Sequence, residues 1–192
     1  MILLKEYFNT ISPISEDTWS EVAALFTKKN LVANDYFIEE GKYAEDIAFL
    51  EKGCIRAFFT NQEAKEYNKQ FFVGPSLIGA YTSLLTKESN RIPQQALTDC
   101  TIFVAQYGAL EKLFSKFHDL ERLGRKIAEF YFLEKEKKEL EMALLNATQR
   151  YLIFQKQFPN LEQEIPQYHI ASYLGISATQ LSRLRNKLVK LP

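Results

Sequence analysis

The chain has 192 residues, 46% of them hydrophobic and 14% aromatic, and its formal net charge is zero. This composition supplies enough apolar surface for a packed core and excludes a wholly disordered chain. Its two cysteines, Cys54 and Cys100, are too few for a four-thiolate iron–sulfur cluster or a zinc ribbon. Their apolar neighbours favour two small buried side chains.

The charge is distributed unevenly along the chain. Residues 1–146 contain 18 Lys and Arg against 22 Asp and Glu, whereas residues 147–192 contain six against two. A basic end on an acidic body predicts an anionic partner for that end. The chain opens with no signal-peptide pattern, and no apolar run approaches the ~20 residues of a membrane span. We therefore expect a cytoplasmic protein with no membrane partner.

The hydrophobic period changes after the first 30 residues. From Ile11 to Phe26 apolar residues recur at spacings of three and four, which predicts a helix. Residues 31–107 instead hold short aliphatic and aromatic runs separated by Gly, Pro, Asn and Asp. Short strands at this spacing, with no pattern for crossover helices, predict an antiparallel sandwich or barrel.

Residues 109–146 contain no Pro and predict one long helix with an apolar seam. A single apolar stripe of this length must pack against another surface, and a second copy of the same helix would provide that surface in a twofold dimer. The alternative is a helix wholly buried within one protomer. The expected dimer interface consists of Leu120, Leu123, Ile127, Phe130 and Leu133.

Residues 167–188 have the pattern of a helix-turn-helix. Gly175 tolerates the left-handed backbone of a tight turn, and Ser177 is a typical N-cap for the helix that follows. Leu181, Leu184 and Leu188 are spaced three and four apart and are expected to face the core. The alternative is an ordinary helical hairpin with a solvated basic face.

A helix with small polar residues at its start fits the major groove of DNA. Thr179 and Gln180 are expected to reach base edges, glutamine favouring adenine, and Arg183 to contact a guanine or a phosphate. Contacts that position the protein on phosphate are predicted for Tyr168, Ser177 and Lys187, and His169 is expected to act as a cap or a phosphate contact. The predicted partner is double-stranded DNA.

The residues give no indication of an enzyme. The acidic residues cluster on one exposed helix face, and the chain has no Ser/His/Asp set and no glycine-rich phosphate loop. We therefore expect no catalytic residue, no metal site and no cofactor.

Two separate regions resemble the Crp/Fnr superfamily of bacterial regulators. Gly41, Ala44 and Glu45, followed by Gly53, are similar to conserved marks of the family's sensor domain, and residues 73–79 resemble the turn before its ligand cassette. Residues 165–177 and 181–183 are similar to the DNA-binding helices of one branch of the family. The order and spacing of these regions agree over nearly the whole chain.

The resemblance implies an α+β fold with three parts. Residues 1–118 would form an N-terminal helix and a cyclic-nucleotide-binding-like β-roll, an antiparallel double-stranded β-helix of jelly-roll type. Residues 119–146 would form a dimerisation helix, and residues 147–192 an all-α helix-turn-helix domain. Because the chain ends at Pro192, we expect little or no C-terminal wing. A homodimeric transcription regulator follows, with RNA polymerase as a further candidate partner.

The sequence departs from the family pattern where a ligand would bind. Gly79 is followed by Ala80 where cyclic-nucleotide-binding members carry an acid, and the nearest candidate for the phosphate arginine, Arg91, is displaced. We therefore expect an unknown small-molecule effector other than cyclic AMP, and a roll that serves only as a dimerising scaffold stays equally open. The expected ligand-binding residues are Gly79, Ala80, Tyr81, Thr82 and Arg91.

The recognition helix departs from the pattern as well. Ala178 and Thr179 stand where members often carry Arg-Glu or Pro-Glu, so a different target sequence is expected. The predicted function is a sequence-specific DNA-binding regulator of unknown effector. The alternative is a sensor or adaptor with a ligand-binding-like roll that no longer binds DNA.

Overall fold

The computed structural model describes residues 1–189, which form two compact units. The first comprises residues Met1–Ala57 and Phe71–Leu133, and the second comprises Phe58–Gln70 and the chain from Glu134 onward. These units divide the chain differently from the three predicted segments. The long helix is shared between the two units, and a hairpin of the sheet region belongs to the second. The α+β class and the antiparallel sheets are as predicted.

The elements follow one another in the predicted order, except that the segment predicted as one long helix, residues 109–146, forms two helices separated at residues 115–117. The helices are α1 (Ile2–Ile11), α2 (Glu16–Leu25), α3 (Tyr81–Thr86), α4 (Tyr107–Phe114), α5 (His118–Leu144), α6 (Ala147–Gln157), α7 (Leu161–Glu164), α8 (Gln167–Tyr173) and α9 (Ala178–Val189). The strands are β1 (Thr27–Leu31), β2 (Tyr36–Ile38), β3 (Asp46–Lys52), β4 (Cys54–Thr60), β5 (Glu66–Val73), β6 (Ser76–Ile78), β7 (Gln94–Ala96) and β8 (Cys100–Gln106).

The strands form two four-stranded sheets whose orders interleave distant parts of the chain. One sheet has the order β1-β8-β3-β6 and the other β2-β7-β4-β5. The strand pairs β1–β8, β3–β8, β3–β6, β2–β7 and β4–β7 are antiparallel. Each sheet therefore contains strands from both ends of the roll segment, as a jelly-roll-like β-roll requires.

The first unit has apolar cores on both faces of the β1-β8-β3-β6 sheet. Neighbouring side chains of β3 belong to different cores, because successive residues of a strand point to opposite faces. Ala48 and Leu50 join Ile55 and Ala96 between the sheets. Phe49 lies on the other face, beneath helices α1, α2, α4 and the start of α5.

The second unit has its own helical core. Helix α6 begins with a capping box in which the Asn146 side chain accepts from the Gln149 backbone N–H and the Gln149 side chain accepts from that of Asn146. Its buried face supplies Tyr151 and Phe154. These side chains belong to a group of buried residues that also includes Phe158, Leu161, Ile165, Ile170, Leu174 and Leu181.

The turn between β3 and β4 depends on a single glycine. Gly53 has φ +103°, and a Cβ atom built there would lie 2.6 Å from the Asp99 carbonyl oxygen and 2.6 Å from Cys100 Sγ. A side chain would therefore meet both a strained backbone and occupied space. Gly108, near the start of α4, has no atom within 4 Å of a built Cβ.

Gly53→Ala is expected to lower the free energy of unfolding by about 2 kcal/mol or more, because backbone strain and the clash add. Gly108→Ala is the matched control and should leave stability unchanged or raise it by up to about 1 kcal/mol, since alanine favours a helix. Urea unfolding followed by circular dichroism measures both variants. Equal stability of Gly53→Ala and the wild-type chain would contradict this account of the turn.

Candidate nucleic-acid interface

Helices α8 and α9 are joined by a turn whose backbone groups are paired. Gly175 has φ +68°, and its N–H donates to the Ser172 carbonyl at 3.1 Å while the Ile176 N–H donates to the Ala171 carbonyl at 3.0 Å. This is the hydrogen-bond pattern of a Schellman motif, which ends a helix on a left-handed residue. The predicted role of Gly175 is confirmed.

The start of α9 is held by a second motif. The Gln180 N–H donates to Ser177 Oγ at 3.2 Å, and the Ser177 N–H donates to Gln180 Oε1 at 2.9 Å. These reciprocal bonds form a capping box, which confirms Ser177 as the N-cap. The Ser177 hydroxyl also donates to Gln180 Oε1 at 3.2 Å.

One of the predicted DNA contacts must be corrected, and another side chain already has a partner within its helix. The exposed Gln180 side chain folds back onto the helix start, where its amide oxygen accepts from Ser177, and a base contact by Gln180 stays a prediction. His169 is only 4% exposed, and its Nδ1 lies 3.2 Å from the Asn68 amide nitrogen. A buried ring with a partner inside its own unit is not available to a phosphate.

The remaining predicted residues form an exposed face on α9. Thr179, Arg183 and Lys187 are exposed, while Leu181 is fully buried against the rest of the unit. Because an α-helix advances about 100° per residue, Thr179 and Arg183 point away from the buried side. Tyr168 is exposed in the first turn of α8. DNA contact by these residues stays a prediction.

The sequence analysis omitted two residues of this face from the site. Ser182 and Asn186 are exposed and lie beside Thr179 and Arg183 on the helix surface, three or four positions apart. Helical spacing alone would have found them, since they follow the same periodicity as the residues that were chosen. Side-chain amides and hydroxyls are suitable partners for base edges and phosphates.

The Arg185 side chain extends toward Glu162 and is less exposed than those of Arg183 and Lys187. Its Nε lies 3.9 Å from Glu162 Oε1, and that carboxylate also accepts from the Tyr151 hydroxyl at 2.7 Å and from Gln155 Nε2 at 3.0 Å. Burial and the bond to Glu162 raise the pKa of Tyr151 to about 12. Lys190 lies outside the described residues. Arg183 and Lys187 are therefore the exposed cations of α9 within residues 178–189.

The second half of α5 packs on the same helix pair. Lys138 Nζ lies 3.5 Å from the centre of the Tyr173 ring, and burial lowers the pKa of this lysine to about 8. Arg150 Nε donates to the Leu174 carbonyl at 3.1 Å, at the end of α8. Side chains of α5 and α6 therefore hold the C-terminal end of α8 within the second unit.

The dimer interface predicted on α5 must also be corrected. Leu120 and Leu123 are buried in the core of their own protomer, and Ile127 packs against the same core. They pack there because the start of α5 covers the outer face of the β1-β8-β3-β6 sheet. Phe130 and Leu133 are 49% and 59% exposed. Phe132, which was not chosen, is also exposed.

The predicted ligand residues differ in their exposure to solvent. Gly79 follows β6, and the buried Ala80 precedes α3. Tyr81 and Thr82 are exposed on α3, and the Tyr81 ring meets Tyr107 edge-on at 5.9 Å. Arg91 is exposed as well, so no cation of this set lies in the interior of the roll.

Asn90 instead occupies the buried position beside Arg91. Its amide nitrogen donates to the Glu39 carbonyl at 3.1 Å and to the Ile92 carbonyl at 3.0 Å, and its amide oxygen accepts from the Ile92 N–H. Its backbone pairs with Gly41 and Lys42. Asn90 therefore closes the loop between α3 and β7, with its side-chain groups occupied by the protein.

The chain thus combines antiparallel sheets of this order with a long helix and a C-terminal helix-turn-helix. Residues 28–117 match the family model of the cyclic nucleotide-binding domain. None of the helices in residues 1–189 combines the length and the apolar character that crossing a membrane requires. No curated protein sequence matches the chain significantly.

Solved structures with this fold are numerous. FixK2 from Bradyrhizobium japonicum is 18% identical with a TM-score of 0.74, covering 85% of this chain and 84% of that one. The c-di-GMP-responsive global regulator CLP from Xanthomonas campestris is 17% identical with a TM-score of 0.71, covering 91% of both chains. A transcriptional regulator from Eubacterium rectale described under the crp/fnr family is 10% identical with a TM-score of 0.71, covering 92% and 85%. The predicted likeness to Crp/Fnr regulators is confirmed at the level of the fold.

Proposed function

We propose that this chain is a sequence-specific DNA-binding transcription regulator that acts as a homodimer. The observation that carries the proposal is the helix pair α8–α9, joined by a Schellman turn and a capping box, with Thr179, Arg183 and Lys187 exposed on one face. A helix of this kind enters the major groove with its first turns against the base edges. Arg183 would read a guanine or grip a phosphate, and Lys187 and Tyr168 would contact the phosphate backbone.

A second copy of the chain is the proposed cover for the exposed apolar residues of α5. Phe130 and Leu133, three positions apart and therefore on one side of the helix, would leave water on association, which is favourable in proportion to the area buried. A twofold pair of recognition helices would then meet successive major grooves, about 34 Å apart. RNA polymerase stays a predicted further partner.

Any effector of the roll is proposed to be other than cyclic AMP. A cyclic nucleotide carries a ribose hydroxyl and a phosphate that need an acid and a cation in the pocket. Here Ala80 replaces the acid, Arg91 is exposed, and the buried Asn90 has its side-chain groups engaged by backbone partners. A buried phosphate without a cation partner would be strongly disfavoured.

The proposed function predicts salt-sensitive binding to duplex DNA of mixed sequence. Arg183 and Lys187 of two protomers would neutralise roughly four phosphates, so the logarithm of the binding constant should fall with the logarithm of salt with a slope of roughly −4. Fluorescence anisotropy over a salt series measures this slope. If the purified chain shows no salt-sensitive binding at low ionic strength, the DNA-binding function fails and the adaptor alternative takes its place.

Arg183→Ala should abolish discrimination between a selected operator and mixed-sequence DNA, because a lost guanine contact costs about 1–3 kcal/mol per site. Arg91→Ala is the matched control, an exposed arginine of the first unit, and should bind the operator like the wild-type chain. Sedimentation should show dimers for both variants. Unchanged operator affinity in Arg183→Ala would remove this residue from the site, and a monomeric wild-type chain would exclude the twofold arrangement.

Cyclic AMP at high concentration should leave the melting temperature unchanged. A ligand that binds only the folded state raises stability by RT ln(1 + [L]/Kd), so absence of binding gives no shift. Differential scanning fluorimetry with cyclic AMP, and with AMP as a control nucleotide, provides the measurement. A clear rise with cyclic AMP alone would show that other residues replace the missing acid and cation.

A further inference from the structure

The second unit contains a β-hairpin that the sequence analysis had assigned to the roll. This hairpin, residues Phe58–Gln70, comprises the end of β4, a turn and the start of β5. In the turn, the Asn61 amide oxygen accepts from the backbone N–H groups of Glu63 and Lys65, and the Asn61 N–H donates to the Lys65 carbonyl. The tip of the hairpin is therefore internally ordered.

The hairpin meets α8 through the hydroxyl of Ser172. Ser172 Oγ accepts from the Asn68 N–H at 2.9 Å and donates to the Glu66 carbonyl at 3.0 Å. In a strand, the carbonyl of one residue and the N–H of the residue two further on point to the same side. One helix hydroxyl thus pairs with two backbone groups of β5, in the place that a neighbouring strand would take.

The Asn68 side chain adds two bonds to the same helix. Its amide nitrogen donates to the His169 carbonyl at 2.9 Å and lies 3.2 Å from His169 Nδ1. The bond to the carbonyl fixes the amide orientation, because the amide oxygen cannot face another acceptor. The second N–H of the same amide group faces Nδ1, a ring nitrogen that can accept a hydrogen bond. Both residues are nearly fully buried.

The contact lies on the side of α8 that faces away from the core of the helix-turn-helix. At about 100° per residue, His169 and Ser172 are on the side of the helix opposite Ala171 and Leu174, which are buried. The hairpin therefore leaves the packing of α8 on α9 intact. It involves none of the exposed residues of α9, so it is compatible with DNA in the groove-facing position of that helix.

We propose that Ser172 and Asn68 are positioning residues for DNA binding: the hairpin holds α8, and through the paired turn also α9, in the arrangement that engages a duplex. This inference rests on the proposed function. Neither residue touches DNA. Their loss would leave α8 free to shift, and the ordering of the helix pair would then have to occur at binding, which lowers affinity.

The test uses the full chain with four variants and an operator selected from random duplexes. Ser172→Ala removes the bridging hydroxyl, Ser172→Thr retains a hydroxyl, and Asn68→Ala removes the buried amide. Gln62→Ala is the matched control, because Gln62 is exposed on the same hairpin and also carries an amide. Hydrogen exchange at the Asn68 N–H reports whether the hairpin is docked, and anisotropy reports the operator Kd and its salt slope.

Ser172→Ala and Asn68→Ala should each weaken operator binding roughly tenfold, which is about 1.4 kcal/mol. The salt slope should stay at the wild-type value, because no phosphate contact is removed. Ser172→Thr should recover most of the affinity, and Gln62→Ala should bind like the wild-type chain. Faster exchange at the Asn68 N–H of Ser172→Ala should accompany the loss.

Three outcomes would overturn the inference, and they can be told apart. Wild-type affinity in Ser172→Ala despite faster exchange would show that docking does not position the helix pair. Tighter binding in that variant would show that the docked hairpin opposes DNA binding. If the wild-type chain binds no duplex at all, the proposed function fails and the positioning role fails with it.

Discussion

The proposed DNA contacts depend on the direction in which α9 leaves α8, and the hydrogen bonds of the turn between the two helices help to fix that direction. The Schellman pair at Gly175 ends α8, and the capping box between Ser177 and Gln180 begins α9 two residues later. Helix ends normally leave backbone groups without partners. Here the bonds between Ala171 and Gln180 satisfy several of them, so the second helix leaves the first in a defined direction, with Leu181 buried and Arg183 outward.

Local signals of this kind are the ones that sequence reasoning detects well. Gly175 and Ser177 were predicted correctly because a left-handed residue and an N-cap are decided by neighbours within four positions. The antiparallel sheets were also predicted, from the regular spacing of short strands and the lack of a pattern for crossover helices. Gln180 was predicted only as a base contact, whereas its amide oxygen accepts from Ser177 at the start of α9, because one side chain can serve two uses. Glutamine three residues after a serine is also the signature of a capping box.

Contacts between distant segments were not predictable from one sequence. Leu120 and Leu123 have the spacing of a dimer seam, but the same spacing serves a helix that covers its own sheet, and the structure buries them there. Burial of His169 depends on Asn68, which lies 101 positions away in the chain. No periodicity in either segment indicates that pair. The assignment of residues 58–70 to the second unit has the same origin, since it depends on side chains of α8.

The distribution of cations on α9 argues that one copy of this chain would be a weak DNA binder. Arg185 is held near Glu162, which leaves Arg183 and Lys187 as the exposed cations in residues 178–189. Each neutralised phosphate contributes a slope of about 0.9 to the salt dependence, so two cations give little affinity at physiological salt. A second copy doubles the phosphate contacts, and once one helix has bound, the other meets its half-site at a high effective concentration. The exposed Phe130 and Leu133, which lie on one side of α5, supply apolar area for such a pair. A dimeric DNA-binding form would thus explain both observations: the small number of exposed cations on α9 and the exposed apolar side chains of α5.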